Sequence, residues 1–429
     1  MSDIFDIDIK WYSRFLKKNL FLYKFASKTK SILVVSSLPF LLPFLIAEIL
    51  FYIIKNKNLI FKNKLILPFY HWSFGHQIIG YDYYSRLYYP NKISLILIFH
   101  KRNNPFLNLC FQNFECFIFK SKIIRNSNNF ICGIIKKLFI LILNFFSLFR
   151  DIFILNQFSI YKTLNNPRAK ILKNYNKSKN DFIDYDSNLT GYYFLIKNKI
   201  GVKPSLNSKI TQDINSAILK YYPNFKINKF VCLLLRKSRS LNYYDSFRDA
   251  GDQSRFVKSI KQFSDNGYSI VASGETDENI FRDIPGFISS DKINRMNNMN
   301  YHILNLFFLL NCRQLICQHS GPYIICNSAN IPCTIVDSFP FFHGSYNPDD
   351  KIMLKKISYK GKILSLDELL NNHKFVFYGK CNKEDGYDAL DSTEDEIYKT
   401  IFEENYSSIN FFDDMLIKHT ENKKIYYWG

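Results

Sequence analysis

The sequence predicts an α/β protein with two Rossmann-like domains behind an N-terminal apolar helical segment. Three patterns predict it. Short apolar runs rich in β-formers alternate with stretches of helical periodicity, the signature of parallel strands buried on both faces. That alternation occurs twice, with a polar stretch between. A long apolar run precedes both. The expected boundaries are 1–60 for the N-terminal segment, 61–222 for the first domain and 223–429 for the second, in a chain of 429 residues.

Residues 32–54, ILVVSSLPFLLPFLIAEILFYII, carry one charge, Glu48, and 16 Ile, Leu, Val or Phe side chains. Each favours lipid by roughly 0.3–0.6 kcal/mol, against about 3 kcal/mol for one central acid. Partition into a membrane therefore wins. Pro39 and Pro43 invite a kink or a hairpin. Lys10, Arg14, Lys17, Lys18, Lys24, Lys28 and Lys30 outnumber the basic residues that follow, so a simple span would put the later chain outside the cytosol. A monotopic attachment is favoured, and a single span or a helix buried in the protein stays open. A second apolar stretch, 131–155, is broken by Lys136, Lys137 and Arg150 and reads as an amphipathic or buried helix.

In the first domain, LILPFY (65–70) and ISLILIFH (93–100) are the expected strands, with Ile79, Tyr83 and Leu87 marking a helix between them; CFIF (116–119) suits a third strand. Residues 156–205 are polar and lead to a linker. FVCLLL (230–235) then opens a second βαβ series. Phe256, Ile260 and Phe263 lie on one helical face, Gly267 ends that helix, and the strand YSIVAS starts at Tyr268. An apolar helix over about 300–311, the strand QLICQ (314–318), a helix near 322–329, the strand PCTIV (332–336) and a helix over 393–405 complete the pattern.

The formal charge of +20 invites an anionic partner, but the basic residues are spread along the chain and no zinc-finger, RNA-recognition or basic-zipper pattern occurs. No nucleic-acid partner is expected. The nine Cys form no CxxC pair. Cys312, Cys317, Cys326 and Cys333 sit on apolar runs without zinc spacing, so buried reduced thiols are expected and no metal site.

Ligands of parallel α/β sheets bind at the carboxyl ends of strands, which selects three loops. HWSFGH follows the first strand; Gly75 permits close backbone approach and His76 is a candidate base, a tight turn with a capping His being the alternative. RKSRSLNYYDSFRDAGD follows FVCLLL and sets Arg236, Lys237, Arg239 and Arg248 beside Asp245, Asp249 and Asp252. Guanidinium groups suit a diphosphate because they donate in pairs and keep their charge; a solvated charged loop is the alternative. In QHSGP, Ser320 and Gly321 precede a helix, where a hydroxyl and backbone N–H groups suit a phosphate. Gln318 and Pro322 occupy the flanking positions of a GxSxG elbow, which argues against a serine hydrolase.

At these loops the sequence resembles a family of bacterial glycosyltransferases of the GT-B architecture, found with surface-polysaccharide genes. The matching features are Gly75-His76 before a helix, a strand ending in Arg236, the pair Phe247-Arg248, SIVASG, Ser320-Gly321 and the later KIMLKKISYKGKILSLDELL. Ser273 stands where that family has an Arg. The resemblance implies two Rossmann-like domains facing a cleft and transfer of a sugar from a nucleotide-sugar donor to a surface-glycan or lipid-linked acceptor. It implies the donor held mainly by the second domain and the acceptor by the first, at the cytoplasmic face of the inner membrane. No metal and no cofactor other than the nucleotide-sugar co-substrate is implied. Arg236 and Arg248 would then neutralise the leaving diphosphate with Ser320 and the Gly321 amide, and His76 would take the acceptor proton. The departure at Ser273 motivates the alternative of a catalytically inactive relative acting as a membrane-associated glycan-binding or assembly component.

Overall fold

A computed structural model of the chain describes residues 40–56, 64–66, 74–98, 107–119, 134–143, 154–155, 199–237, 247–339, 347–365 and 386–403, with short gaps in some of these ranges. Residues 32–39, His71, Arg239 and Asp245, singled out above, lie outside the described residues. The chain divides into two compact units. One comprises Met1–Ser73, Asn91–Asn103 and Asn113–Gln157; the other comprises Phe74–Pro90, Asn104–Gln112 and Phe158–Gly429.

The first unit is built on a four-stranded sheet of β1 (Lys64–Ile66), β2 (Ile93–Ile98), β3 (Phe114–Phe119) and β4 (Ile154–Leu155), in the order β3-β2-β1-β4. Every pairing is parallel, with Lys64 opposite Ile93, Ile93 opposite Phe114 and Leu65 opposite Ile154. The last pairing corrects the expectation of one helix over 131–155. Residues 134–135 and 137–143 are helical, but Ile154 and Leu155 form a strand on the open edge of β1. An apolar run by itself does not discriminate a buried helix from a buried strand; the available edge decides.

Residues 40–55 form a helix in this unit. The helix continues unbroken past Pro43. Leu45, Ile49 and Ile53, four residues apart, are buried. Its Tyr52 ring meets Phe119 of β3 at 5.2 Å and Phe139 at 6.1 Å, while Phe119 and Phe139 meet each other at 4.9 Å. One aromatic cluster thus joins both apolar helices to the sheet.

The second unit holds a six-stranded parallel sheet: β5 (Phe230–Leu235), β6 (Ser269–Gly274), β7 (Phe287–Ser289), β8 (Leu315–Cys317), β9 (Cys333–Ser338) and β10 (Lys351–Leu354). Their order is β10-β9-β8-β5-β6-β7. Numbered within the domain this is 3-2-1-4-5-6, the doubly wound Rossmann order, whose direction reverses between β5 and β8. Every residue of β5 is buried, as a central strand covered on both faces requires. Val231, Leu233 and Leu235 face a cluster with Phe256, Ile260, Phe263, Ile397 and Ile401. On the alternate positions, Phe230 meets the Phe308 ring at 5.9 Å and the Cys232 thiol reaches the Phe308 carbonyl at 3.6 Å.

Among the described residues, eight helices serve this unit: α1 (Phe74–Tyr88), α2 (Ser208–Tyr221), α3 (Val257–Asp265), α4 (Glu278–Phe281), α5 (Ser290–Asn297), α6 (Tyr301–Asn311), α7 (Tyr323–Ser328) and α8 (Glu394–Phe402). A small antiparallel sheet, β12 (Lys362–Ile363), β11 (Lys356–Tyr359) and β13 (Tyr387–Leu390), follows the main one. Cys110, Cys232, Cys312, Cys317, Cys326 and Cys333 are free and buried, as expected of apolar runs.

Helix α1 follows β1 in the chain yet belongs to the second unit. A buried charge holds it there. Arg86 donates from Nε to Asp82 Oδ2 at 2.9 Å, from Nη1 to the Ile200 carbonyl at 3.0 Å, and from Nη2 to the Ser328 carbonyl at the end of α7. Gly201 makes this possible. Its φ is +78°, and a Cβ there would stand 2.6 Å from the Arg86 Cα.

Candidate functional site

The point where strand order reverses in an open parallel sheet splays the loops at the carboxyl ends and leaves a crevice. In the second unit that point lies between β5 and β8, which pair directly from Cys232 opposite Leu315 to Leu234 opposite Cys317. The loops leaving these strands begin at Arg236 and Gln318, two of the three regions that the sequence selects.

Both loops are fixed to one another. The Arg236 backbone N–H donates to Gln318 Oε1 at 2.9 Å, and the Arg236 carbonyl accepts from the Ala250 N–H at 2.9 Å. Arg236 is thereby pinned through both backbone groups at the mouth of the crevice, with its side chain half-buried. Phe247 inserts into the core against Phe339, ring centroids 5.3 Å apart, and so aims the next residue. Arg248 Nη2 donates to the His319 carbonyl at 3.0 Å. The aromatic-Arg pair therefore has a division of labour: the ring anchors, and the guanidinium reaches across to the second loop.

The second loop carries buried polar atoms. Gln318 is fully buried, and its Nε2 has no hydrogen-bond partner among the described residues; the same holds for the hydroxyl of Ser320. Buried donors left without acceptors cost about 1–3 kcal/mol each, so their retention at a crevice marks a place where a ligand atom would complete them. Gln318 is the functional residue that sequence reasoning passes over. The available signal was a polar side chain closing an otherwise apolar strand, QLICQ. His319, a candidate acid or base in the sequence, is buried with its ring 5.3 Å from the Tyr323 ring, and its carbonyl is the acceptor for Arg248.

The expectation for α7 needs correction. The helix has six residues, and the N–H groups of Tyr323, Ile324 and Ile325 bond back to the carbonyls of Ser320, Gly321 and Pro322. Those three donors are consumed by the tight turn that closes the loop. The hydroxyl of Ser320 and the side chain of Gln318 remain, beside the Gly321 amide, as the loop's directed groups.

The acidic residues of the first loop have separate tasks. Asp252 accepts from the Ser254 N–H at 2.9 Å and its hydroxyl at 2.7 Å, capping the turn Gln253–Phe256; these bonds hold its carboxyl below the usual range. Glu275, just past β6, accepts from the Lys237 N–H at 2.8 Å. Ser273, near the end of β6, donates to Asn305 Oδ1 at 3.2 Å and is buried beside Leu234 of β5 in register. Gly75 and His76 occupy the second and third positions of α1; the His76 side chain lies outside the described part of the chain.

No protein-family model and no curated protein matches the sequence. Similar solved structures include a glycosyl transferase family 9 protein from Veillonella parvula, 12% identical, with a TM-score of 0.42, covering 69% of this chain and 86% of that one. The E. coli ADP-heptose LPS heptosyltransferase II is 10% identical, with a TM-score of 0.40, covering 83% of this chain and 99% of that one. The E. coli heptosyltransferase WaaC with ADP-2-deoxy-2-fluoro heptose is 9% identical, with a TM-score of 0.37, covering 68% and 92%.

Proposed function

We propose that the chain is a glycosyltransferase of the GT-B type that moves a sugar from a nucleotide-sugar donor to a surface-glycan or lipid-linked acceptor at the cytoplasmic face of the inner membrane. The observation that carries this reading is the paired mouth at the β5/β8 switch point. There Arg236 is locked to Gln318, Arg248 is tied to the His319 carbonyl, and Gln318 and Ser320 keep buried polar atoms without partners among the described residues. Guanidiniums, an amide N–H donor and a hydroxyl suit the oxygens of a diphosphate.

In the proposed reaction the C1–O bond to the donor diphosphate breaks as an acceptor hydroxyl oxygen forms the new bond to C1. Charge grows on the departing diphosphate oxygens. Arg236, assisted by Arg248, Ser320 and the Gly321 amide, meets that charge with donors already in place, so no reorganisation is paid during the step. Guanidinium groups fill the role that a cation would otherwise have, which makes the transfer metal-independent. His76, early in α1, takes the acceptor proton. The second domain, 223–429, would hold the donor and the first, 61–222, the acceptor.

The test is a thermal-shift panel of nucleoside diphosphates and nucleotide sugars against the full chain. A ligand at a hundred times its dissociation constant stabilises a one-site protein by about 2.7 kcal/mol. A clear shift with one nucleotide class, lost in Gln318→Leu and Arg236→Ala, is expected. The absence of a shift with every nucleotide rejects the donor site. Ser273, committed to Asn305 where the resembling family has an Arg, supports a second reading: an inactive relative that binds glycan as a membrane-associated assembly component. That reading expects glycan binding with no sugar released from any donor.

A further inference from the structure

Among the described residues no helix is long and apolar enough to cross a membrane. The two faces of the helix over 40–55 have different fates. Leu45, Ile49 and Ile53 are at most 1% exposed, whereas Phe40, Phe44, Phe51 and Ile54 are 79%, 65%, 69% and 59% exposed. At about 100° per residue, the exposed set falls in one narrow stripe that points away from the buried one by about 180°. A helix with one face consumed by its own core cannot be a lipid-surrounded span. It can lie on a bilayer.

We propose that this helix is an interfacial anchor: the stripe Phe40, Phe44, Phe51 and Ile54 enters the boundary between headgroups and acyl chains of an anionic bilayer, with the helix axis parallel to the surface. The partner follows from charge as well as from apolar area. Lys55 closes the helix beside the stripe and is exposed. In the neighbouring helical stretch, Lys137 is exposed one turn before Leu141, which is 66% exposed. Lysines at the margin of an apolar stripe fit anionic headgroups, which attract each basic residue near the surface. Isolated exposed apolar residues need no explanation, but four in register over four turns of helix do. The proposal rests on the membrane location proposed above and gives it a surface and an orientation, in the plane instead of across it.

Flotation of the full chain with vesicles separates the possibilities. With vesicles of phosphatidylglycerol and phosphatidylcholine the wild type floats, and with phosphatidylcholine alone it floats at least about tenfold less. The variant F40S/F44S/F51S/I54S loses at least about a hundredfold of its partition to anionic vesicles while its thermal unfolding stays unchanged, because all four side chains are already outside the core. As a second reading of the same contact, the indole of F44W is quenched by bromolipids in the membrane. Equal flotation of variant and wild type overturns the assigned surface and leaves the membrane location standing. Failure of the wild type to float with any vesicle overturns both. A wild-type dimer that the fourfold variant converts to monomer, with no vesicle binding, assigns the stripe to a second copy and overturns the proposal. Nucleotide-induced thermal shifts in the fourfold variant report on the donor site independently of all three outcomes.

Discussion

The two units start from the same plan and finish it differently. Each has a parallel sheet whose first four strands follow the order 3-2-1-4. The second unit extends the sheet to six strands, covers both faces of its central strand, and closes its polar ends with capped helices and paired charges. The first unit shows four strands among the described residues and presents an apolar helix with one face in its core and the other outside. One topology therefore supports two kinds of surface. Where apolar area is fully consumed, the proposed donor site is a few polar groups at a strand end; where it is left over, the exposed stripe is itself the proposed contact surface.

The buried charge on α1 gives the largest expected effect. Arg86 and Asp82 are each at most 1% exposed and pair at 2.9 Å, and Arg86 also serves two backbone carbonyls. Arg86→Met takes the guanidinium away from the buried Asp82 carboxylate and from two backbone carbonyls, which costs about 3–5 kcal/mol. Chemical denaturation checks it. A loss below about 1 kcal/mol would mean that α1 does not depend on this pair for its place in the second unit.

Two adjacent residues in the first unit sharpen the contrast further. Leu45 is buried in the core and Phe44 is exposed. Leu45→Ala removes packed methyl groups and costs roughly 2–5 kcal/mol. Phe44→Ser removes a larger side chain yet changes stability by less than about 0.5 kcal/mol. Equal losses at the two positions would show that the stripe is covered by protein, and would erase the difference between the units.

In the second unit the corresponding test is chemical. Arg236→Ala is expected to lower turnover about a hundredfold or more while leaving the fold intact, since the backbone contacts of residue 236 to Gln318 and Ala250 survive truncation. Turnover with the donor that gives the thermal shift is the measurement. Near-normal turnover removes Arg236 from the reaction.

These contrasts also explain what could be read in the sequence. FVCLLL, SIVASG and CTIV declare themselves because a central parallel strand must be apolar on both faces; the structure has strands at Phe230–Leu235, Ser269–Gly274 and Cys333–Ser338. The loops after such strands follow, and with them Arg236, Arg248 and Ser320. The small sheet of β11, β12 and β13 was not legible. KISY and YDAL are short, half-exposed and interrupted by charge, so they carry neither a clear period of two nor an apolar run. The place of α1 in the second unit was equally hidden. Nothing local announces that Arg86 bonds to the end of a helix more than 200 positions later, because a contact across such a separation leaves no period in the sequence. Gln318 was passed over because one amide at a strand end is common, and only its burial and its bond to Arg236 make it distinctive.

The smallest effect concerns how the second unit finishes its last helix. Thr393 and Glu396 form a reciprocal capping box on α8, with the Thr393 N–H donating to Glu396 Oε2 at 2.8 Å and the Glu396 N–H to Thr393 Oγ1 at 3.3 Å. Thr393→Ala should cost about 1 kcal/mol. Glu396 adds a dependence on pH. Partial burial pushes its carboxyl up, but the bonds from Lys356 and Thr393 outweigh burial and hold it below its ordinary value of 4.5. A depressed carboxylate contributes stability above its unfolded value and loses it as pH falls through the folded one. Glu396→Gln keeps the side-chain oxygen but has no charge to titrate. The variant should therefore be less stable than wild type near neutral pH, and the two should converge once acid has protonated Glu396. A gap that stays constant from neutral to acid pH would assign the box to geometry alone, with no part for the Lys356 charge.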